Sequence, residues 1–299
     1  MEMPMLENPC AICGLGTPFH VKYPANFGAE DLDFAARKTP KCRHFRIVVC
    51  DRCGLTYSTP ILAPEHIIYL YRESRIIDEV QIQNIRADYL VQLARAKSAA
   101  GQCDRLLEVG CSSGFFLKAA KESGIANVRG VEPGRVAVAM AAEEIRPLIV
   151  NDIFHDGLFS ENSFDIVCCF QVLDHILEPN SFLKSIHRVL RPGGVFLAIH
   201  HNIRSWFPRV LGKGCPMYDV EHIYLFDKKT AAAMIQKHNF EVLAIEDLKN
   251  GYTAEYAVKM FPFPQFVRSV LLRSLSAFGL STFTFTVGAG NMITMGRKA

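Results

Sequence analysis

Residues 106–114 read LLEVGCSSG, and residues 130–133 read GVEP. An apolar run ends in an acid, a glycine-bearing turn follows, and FFLKAAKES continues at helical spacing. A second apolar run ends at Glu132, 24 positions after Glu108. This order of strand, turn, helix and strand constrains the fold more than any other stretch. It is half of a doubly wound α/β layer with a ligand site at the strand tips. A cofactor lying there needs close backbone approach, which Gly110 and Gly114 permit by carrying no side chain. Glu132, at the end of the second strand, can accept both hydroxyls of a ribose. A dinucleotide loop would read G-x-G-x-x-G. Here the loop reads G-C-S-S-G, with Ser112 at a middle position. A nucleoside cofactor without a pyrophosphate pressed on the helix fits better.

LLEVGCSSGFFL resembles the first motif of the class I S-adenosylmethionine-dependent methyltransferases, E/D-x-G-x-G-x-G, with Ser112 replacing the middle glycine. GVEP resembles the second motif. Residues 162–179, NSFDIVCCFQVLDHILEP, resemble the fourth-strand motif, and residues 187–200, HRVLRPGGVFLAIH, the helix, turn and fifth strand. The motifs run in the family's order. The resemblance implies a Rossmann-like α/β fold, a seven-stranded sheet with a reversed last strand. It implies S-adenosylmethionine as cofactor, held by Glu108, Gly110, Cys111, Gly114, Glu132, Asp152, Ile153, Phe170 and Gln171. In the family an acid after the third strand takes the adenine amino group, which falls on Asp152 with Ile153 beside it; Asp152 capping a turn is the alternative. The Asn/Asp-Pro-Pro-Tyr sequence of adenine amino-group methylases is absent. Residues 221–226, EHIYLF, resemble the E-H-x-x-x-F segment of one methyltransferase subgroup.

The other informative pattern lies at the N-terminus. Cys10-Ala-Ile-Cys13-Gly14 and Cys50-Asp-Arg-Cys53-Gly54 are two C-x-x-C-G knuckles, with 36 residues between the pairs. Each aims two thiolates at one point, and the trailing glycine permits a positive φ. Together they offer a closed tetrahedral Cys₄ site, expected to hold a structural zinc rather than a catalytic one. The module looks like a zinc ribbon. A disulfide reading would need an oxidising compartment, and a redox C-x-x-C would occur once, without repeated glycines. Cys42 and His44, in the insert, are substitute ligands in second place. Of the chain's ten cysteines, Cys103, Cys111, Cys168 and Cys169 sit in or beside core strands, where thiols behave as small hydrophobes.

The expected organisation is a zinc-ribbon module at 1–61, a helical cap at 62–103, and a methyltransferase domain at 104–299 with inserted helices around 203–220 and 252–280. Helices are expected at 64–74, 75–99, 114–123, 136–144, 182–190 and 229–238. Strands are expected at 104–109, 128–132, 148–150, 164–170, 195–200, 241–247 and 282–295, with a tight turn at 191–194. Residues 274–296 carry no charge but hold glycines and alternating Thr and Phe, so a strand is expected, not a membrane-spanning helix. Residues 266–280, with Arg268 and Arg273, read as an amphipathic helix expected to pack on the core rather than lie on a membrane.

The net charge is +3, and no basic block marks a dedicated nucleic-acid surface. No basic segment followed by an apolar run opens the chain, so no signal peptide and a cytoplasmic location are expected. Methyl transfer from a sulfonium needs a lined-up nucleophile, excluded water and, for a protonated acceptor, a base. His175, His201 and His222 are base candidates, with Tyr224 as a secondary substrate contact. Strand alternation puts one of His200 and His201 in the core and the other in the cleft, and His201 is favoured. The ribbon-then-methyltransferase order resembles sugar C-methyltransferases, which carry a further C-terminal domain. The chain's length suits a stand-alone methyltransferase acting on a small biosynthetic or glycan-pathway metabolite. A ribosomal-RNA methyltransferase, or a non-catalytic cofactor-binding protein whose zinc module recruits a partner, are the alternatives.

Overall fold

The structure is a computed structural model of the chain and describes residues 4–28, 35–36, 42–73, 75–76, 82–101 and 103–299. The N-terminal part contains β1 (Met5–Leu6), β2 (Phe19–Tyr23), β3 (Ala35–Ala36), β4 (Ile47–Cys50), β5 (Thr56–Ser58), β6 (Ile61–Leu62) and α1 (Pro64–Arg72), followed by β7 (Arg75–Ile76) and α2 (Ile82–Ala100). The helix expected at 75–99 therefore begins later. Arg75 and Ile76 pair in parallel with Ala35 and Ala36, and residues 77–81 lie outside the described residues.

The larger part runs β8 (Arg105–Val109), α3 (Phe115–Glu122), β9 (Asn127–Val131), α4 (Arg135–Ala139), β10 (Ile149–Val150), β11 (Phe164–Phe170), α5 (Pro179–Val189), β12 (Leu190–His201), α6 (Trp206–Leu211), β13 (Tyr224–Leu225), α7 (Lys228–Gln236), β14 (Phe240–Thr253), α8 (Ala254–Met260), α9 (Gln265–Ala277) and β15 (Thr284–Lys298). Residues 191–194, expected as a tight turn, form an irregularity within β12, with Gly193 at φ 74° and Gly194 close against Arg191 O. Strand β12 starts at Leu190, opposite Phe164, and slips register before Val195 meets Ile166.

Seven strands form one sheet in the order β10-β9-β8-β11-β12-β15-β14. Neighbours from β10 to β12 are parallel, and β15 runs antiparallel to both β12 and β14. This is the expected sheet with a reversed last strand. Its apolar residues fill both faces: Leu106 and Ile166 on one, Leu107 and Val167 on the other, all fully buried. The chain leaves β8 toward β9 on one side and returns to β11 on the other. The crevice between the tips of β8 and β11 is thus the topological switch point, where ligands bind in such sheets.

A second sheet, β13-β5-β4-β2, joins the two halves of the sequence. Tyr224 and Leu225 pair with Tyr57 and Thr56. The knuckle residues Cys10, Ala11 and Cys50 share one buried apolar cluster with Leu107, Val167 and Phe226. The Cys₄ module is therefore packed into the molecule's core rather than tethered to it.

Helix α9 departs from expectation. None of its residues is buried, so it does not pack on the core as its amphipathic pattern suggested. The strand expected at 282–295 is β15, whose N-terminal end stands exposed on both faces. No helix among the described residues is long and apolar enough to cross a membrane.

Candidate active site

The loop after β8 is shaped by backbone conformation. Gly110, Ser112 and Gly114 all have positive φ, at 74°, 52° and 69°. Ser112 thus holds the left-handed conformation that the missing glycine would have adopted, at a strain cost of about 1–2 kcal/mol. The reason for the two glycines is packing within the protein. A Cβ on Gly110 would lie 2.4 Å from Val172 Cγ2, and one on Gly114 would lie 2.5 Å from Ile145 Cγ2. Bare Gly110 lets the loop close on the segment after β11, and bare Gly114 lets the start of α3 close on the residues that lead into β10. Cys111, expected at the cofactor, is fully buried, with its Sγ against Gly130 in the core.

Glu132 sits at the tip of β9. Its Oε2 accepts from Ser112 N and its Oε1 from Gly134 N, each at 2.8 Å. Burial raises its pKa, and these two amide bonds pull it back. Both oxygens keep lone pairs for further donors. Glu108, buried in β8, has a carboxyl raised well above the usual range by burial and by Glu132. Asp152 accepts from Ile153 N at 2.8 Å and so caps its own turn. It also faces Arg72 Nη2 at 3.7 Å and His155 Nε2 at 3.8 Å.

Phe170 does not reach the cleft as expected. It is 6% exposed, and its ring stacks on Tyr89 of α2 at 4.1 Å and meets Phe116 edge-on at 4.8 Å. Aromatic pairs of this kind contribute about 0.5–1.5 kcal/mol beyond their burial, so Phe170 braces α2 and α3 against the sheet. Gln171, next in sequence, takes φ 56° and donates from Nε2 to Asn291 Oδ1 at 3.1 Å. Asn291 donates on to Asn250 Oδ1 at 2.7 Å, and Asn250 to Asp88 Oδ2 at 2.9 Å. This polar chain over β11, β15, β14 and α2 carries no sequence signal beyond scattered amides. Ser112 Oγ and Gln171 Oε1 are buried without a hydrogen-bond partner in the protein. Such groups are costly unless a ligand satisfies them. Together with Glu132 they fit a nucleoside cofactor rich in hydroxyl and amino donors.

The histidines gather at the far side of the crevice. Asp174, in the single turn after β11, is fully buried. Its Oδ2 accepts both the backbone N–H of His201 at 2.9 Å and the ring Nδ1–H at 2.7 Å. Its Oδ1 lies 3.5 Å from His200 Nδ1. Burial pushes this carboxyl up, but the His200 and His201 contacts outweigh it and hold it well below the usual range. His200 and His201 do split as strand alternation requires. His200 is fully buried, with Nε2 2.8 Å from Thr294 Oγ1, while the His201 side chain is 20% exposed. The His222 ring lies 4.7 Å from those of both His175 and His201. His175 Nδ1 is 2.8 Å from Tyr71 Oη. Helix α1 thus ends over the site, with Tyr71 reaching the histidines and Arg72 reaching Asp152. Sequence reasoning missed Asp174 and Tyr71; the Asp-His pair at 174–175 followed by His-His at 200–201 was the available signal.

Tyr224 is not a substrate contact. It is 2% exposed, it stacks on Tyr57, and its hydroxyl donates to Asn8 Oδ1 and Pro9 O, each at 3.0 Å. Strand β13 uses it to clasp the N-terminal module. In that module the Sγ atoms of Cys10, Cys13, Cys50 and Cys53 all lie within 4.8 Å of one another. The two knuckles are alike: Gly14 N donates to Cys10 O at 2.8 Å, Gly54 N to Cys50 O at 2.9 Å, and φ is 88° and 80° at the glycines. Four thiolates at one point suit a tetrahedral zinc. Cys42 and His44 are elsewhere: Cys42 Sγ donates to Gly214 O, and the His44 ring is buried beside Tyr23.

The methyltransferase-domain family profile matches residues 79–245, more than half the chain. The chain belongs to this methyltransferase family. Among curated relatives it is similar to the ubiquinone biosynthesis O-methyltransferase of Pseudomonas aeruginosa, 28% identical over 152 residues, 47% of this chain and 62% of that enzyme. The same-named enzyme of Idiomarina loihiensis is 33% identical over 110 residues, 34% of this chain and 45% of that enzyme. The chain thus spans less than two thirds of the length of the curated relatives it matches. A crystal structure of a Pyrococcus horikoshii protein overlays with a TM-score of 0.50 at 16% identity, covering 74% of this chain and 94% of that one, a likeness of fold. The fold, with β15 reversed, is that of the class I S-adenosylmethionine-dependent methyltransferases.

Proposed function

We propose that the protein transfers a methyl group from S-adenosylmethionine to an oxygen of a small-molecule acceptor, with His201 as general base and Asp174 as its positioning residue. The carrying observation is the buried Asp174 carboxylate bound to His201 Nδ1–H. With Nδ1 committed as donor, Nε2 is left as the acceptor nitrogen of the ring. The O-methyltransferase names of the curated relatives support an oxygen acceptor.

S-adenosylmethionine, when bound, supplies an electrophilic methyl on a sulfonium. Glu132 would accept its ribose hydroxyls, Asp152 its adenine amino group, and Ser112 Oγ and Gln171 Oε1 further polar contacts at the strand tips. His201 Nε2 would take the proton of the acceptor hydroxyl as its oxygen gains the methyl group, the donor leaving as S-adenosylhomocysteine. Asp174 stabilises the imidazolium that results, as a fixed charge in a water-poor site does. His175, His222 and Tyr71 line the same cluster and orient the acceptor. Orienting the acceptor against the bound cofactor would supply about 7–11 kcal/mol of barrier lowering, and a positioned base a further 10²–10⁴-fold. Cys10, Cys13, Cys50 and Cys53 would hold a structural zinc.

The test is turnover with a panel of phenolic, enolic and amine acceptors, read as S-adenosylhomocysteine formed. Hydroxylated acceptors should turn over, and His201→Ala should abolish most of the rate while leaving cofactor binding intact. Wild-type turnover in His201→Ala would remove the base assignment. Cofactor binding without turnover of any acceptor would favour a non-catalytic role.

A further inference from the structure

We propose that helices α6 and α9 and the exposed tip leading into β15 form a membrane-surface face that docks on an anionic phospholipid bilayer. The starting point is the uncovered apolar surface. Phe266 and Phe278 are each 78% exposed, Val210 69%, Phe283 60%, Trp206 49% and Val270 45%. These side chains lie on segments that touch: Phe207 of α6 faces Phe261 at the end of α8, and α8 packs on α9. Scattered exposed apolar residues are ordinary, but several large ones gathered on touching segments mark an interaction surface.

The charge pattern selects the occupant. Residues 204–214 contain Arg204, Arg209 and Lys213, and residues 256–296 contain Lys259, Arg268 and Arg273; neither stretch has an acid. Lys259 is paired with Glu255 at 2.8 Å and Arg204 with Asp227 at 3.5 Å, and Arg268 donates to Phe261 O. Arg209, Lys213 and Arg273, interleaved with the aromatics, suit a surface of phosphate headgroups. Lys22, Arg204 and Arg209 also line one cavity of about 200 Å³ beside α6. Trp206, whose indole N–H donates to Gly288 O, is half exposed in the same face, as interfacial tryptophans are. Helix α9 has 13 residues and so runs about 20 Å, enough to lie in the interface and too short to cross a hydrocarbon core of about 30 Å. The face borders the site: β14 carries both Asn250 of the Gln171–Asn291 chain and Thr253, which pairs with Thr284 and caps α8. Docking would bring membrane-dissolved acceptors to that edge.

The experiment is vesicle flotation of the full chain, with equimolar phosphatidylglycerol and phosphatidylcholine against phosphatidylcholine alone. The wild type should float with the anionic vesicles and largely stay behind with the neutral ones. The triple variant Phe266→Ser, Phe278→Ser, Phe283→Ser should lose flotation while keeping cofactor affinity by calorimetry. These positions are too exposed for the change to unfold the chain. Arg273→Ala should weaken partitioning about fivefold, the worth of one basic side chain near an anionic surface. A wild type that stays in solution with both vesicles would overturn the proposal, as would equal flotation with both. So would a concentration-dependent dimer that the triple variant abolishes without any vesicle binding. None of these results bears on methyl transfer, whose failure would show as lost turnover with flotation intact.

Discussion

Replacing Asp174 by Asn tests the chemistry most directly, because it changes charge while keeping shape. The wild-type carboxylate is fully buried and accepts two bonds from one residue, the N–H and the Nδ1–H of His201. Bonds to a charged acceptor are worth about 1.5–3 kcal/mol and neutral ones about 0.5–1.5. An asparagine oxygen can still take both donors, so the variant should fold with about 1–3 kcal/mol less stability. Asp174→Ala leaves the donors bare and should cost about 3–5 kcal/mol. Catalysis should suffer more than stability. Without the carboxylate the imidazolium formed on proton uptake loses its counter-charge, and kcat should fall by about 10²–10⁴-fold, the share a positioned base supplies. Cofactor affinity should hold, since Glu132 and the loop after β8 are untouched.

The pH dependence follows from the direction of the shift. The Asp174 carboxyl is held well below the usual range in the folded state, so its stabilisation is present above the unfolded carboxylate value of about 4. It is lost only as pH falls through the lower folded value. The stability gap between wild type and Asp174→Asn should therefore be flat near neutrality and narrow only below about pH 4. The assays are denaturant melts across pH and steady-state formation of S-adenosylhomocysteine. A kcat loss below about tenfold with cofactor binding intact would refute the reasoning, because a base that matters contributes at least 10²-fold.

Glu132→Ala should weaken S-adenosylmethionine binding by about 10–100-fold in calorimetry, one or two charged hydrogen bonds' worth, without unfolding; unchanged affinity would mean that the ribose is held elsewhere. Gly110→Ala meets Val172 Cγ2 at 2.4 Å with φ at 74°, and should cost about 2–4 kcal/mol from backbone strain and overpacking together. Adding Val172→Ala should relieve the packing part alone, and full recovery in the double variant would mean that the backbone is not strained. Metal analysis of the purified chain should give one zinc per chain, and strong chelation should lower the melting temperature; less than one zinc would overturn the Cys₄ assignment.

The sheet was legible because its signals are local. Each strand of the switch point ends in a tip residue visible within a few positions of sequence, and alternating Thr and Phe announced the last strand, whose reversal only the family resemblance implied. The catalytic side was legible only in part. Strand alternation put one of His200 and His201 in the cleft, since two adjacent residues on a strand cannot face the same way, and the position further out along the tip singled out His201. It could not reveal Asp174 as the shared partner, because that contact spans 27 residues and needs the turn after β11 to fold under β12. The chain Gln171–Asn291–Asn250–Asp88 spans four elements and more than 100 positions, and amides carry no pattern that marks them as partners. Helix α9 shows a different limit: periodicity says that a face is apolar, not that anything covers it.

The clasp formed by β13 changes what the N-terminal module means. By sequence the Cys₄ unit and the histidine segment at 221–226 are separate features. In the fold, Tyr224 and Leu225 add a strand to the module's sheet, while His222, two residues earlier, stands against His175 and His201. Ser58 ties the two further, its N–H donating to Ile223 O and its Oγ to His222 O. On the other side, Ile223 N donates to Asp174 O, in the turn that holds His201. The path from the four cysteines to the His201 ring therefore runs through the knuckle, β5, β13 and the turn at Asp174. A metal held by the knuckles would also fix the register of β5, and through it the height of His222 and Asp174 at the cleft. Loss of zinc should consequently lower turnover before it lowers cofactor affinity, since the loop after β8 and Glu132 belong to strands that the module does not pair with.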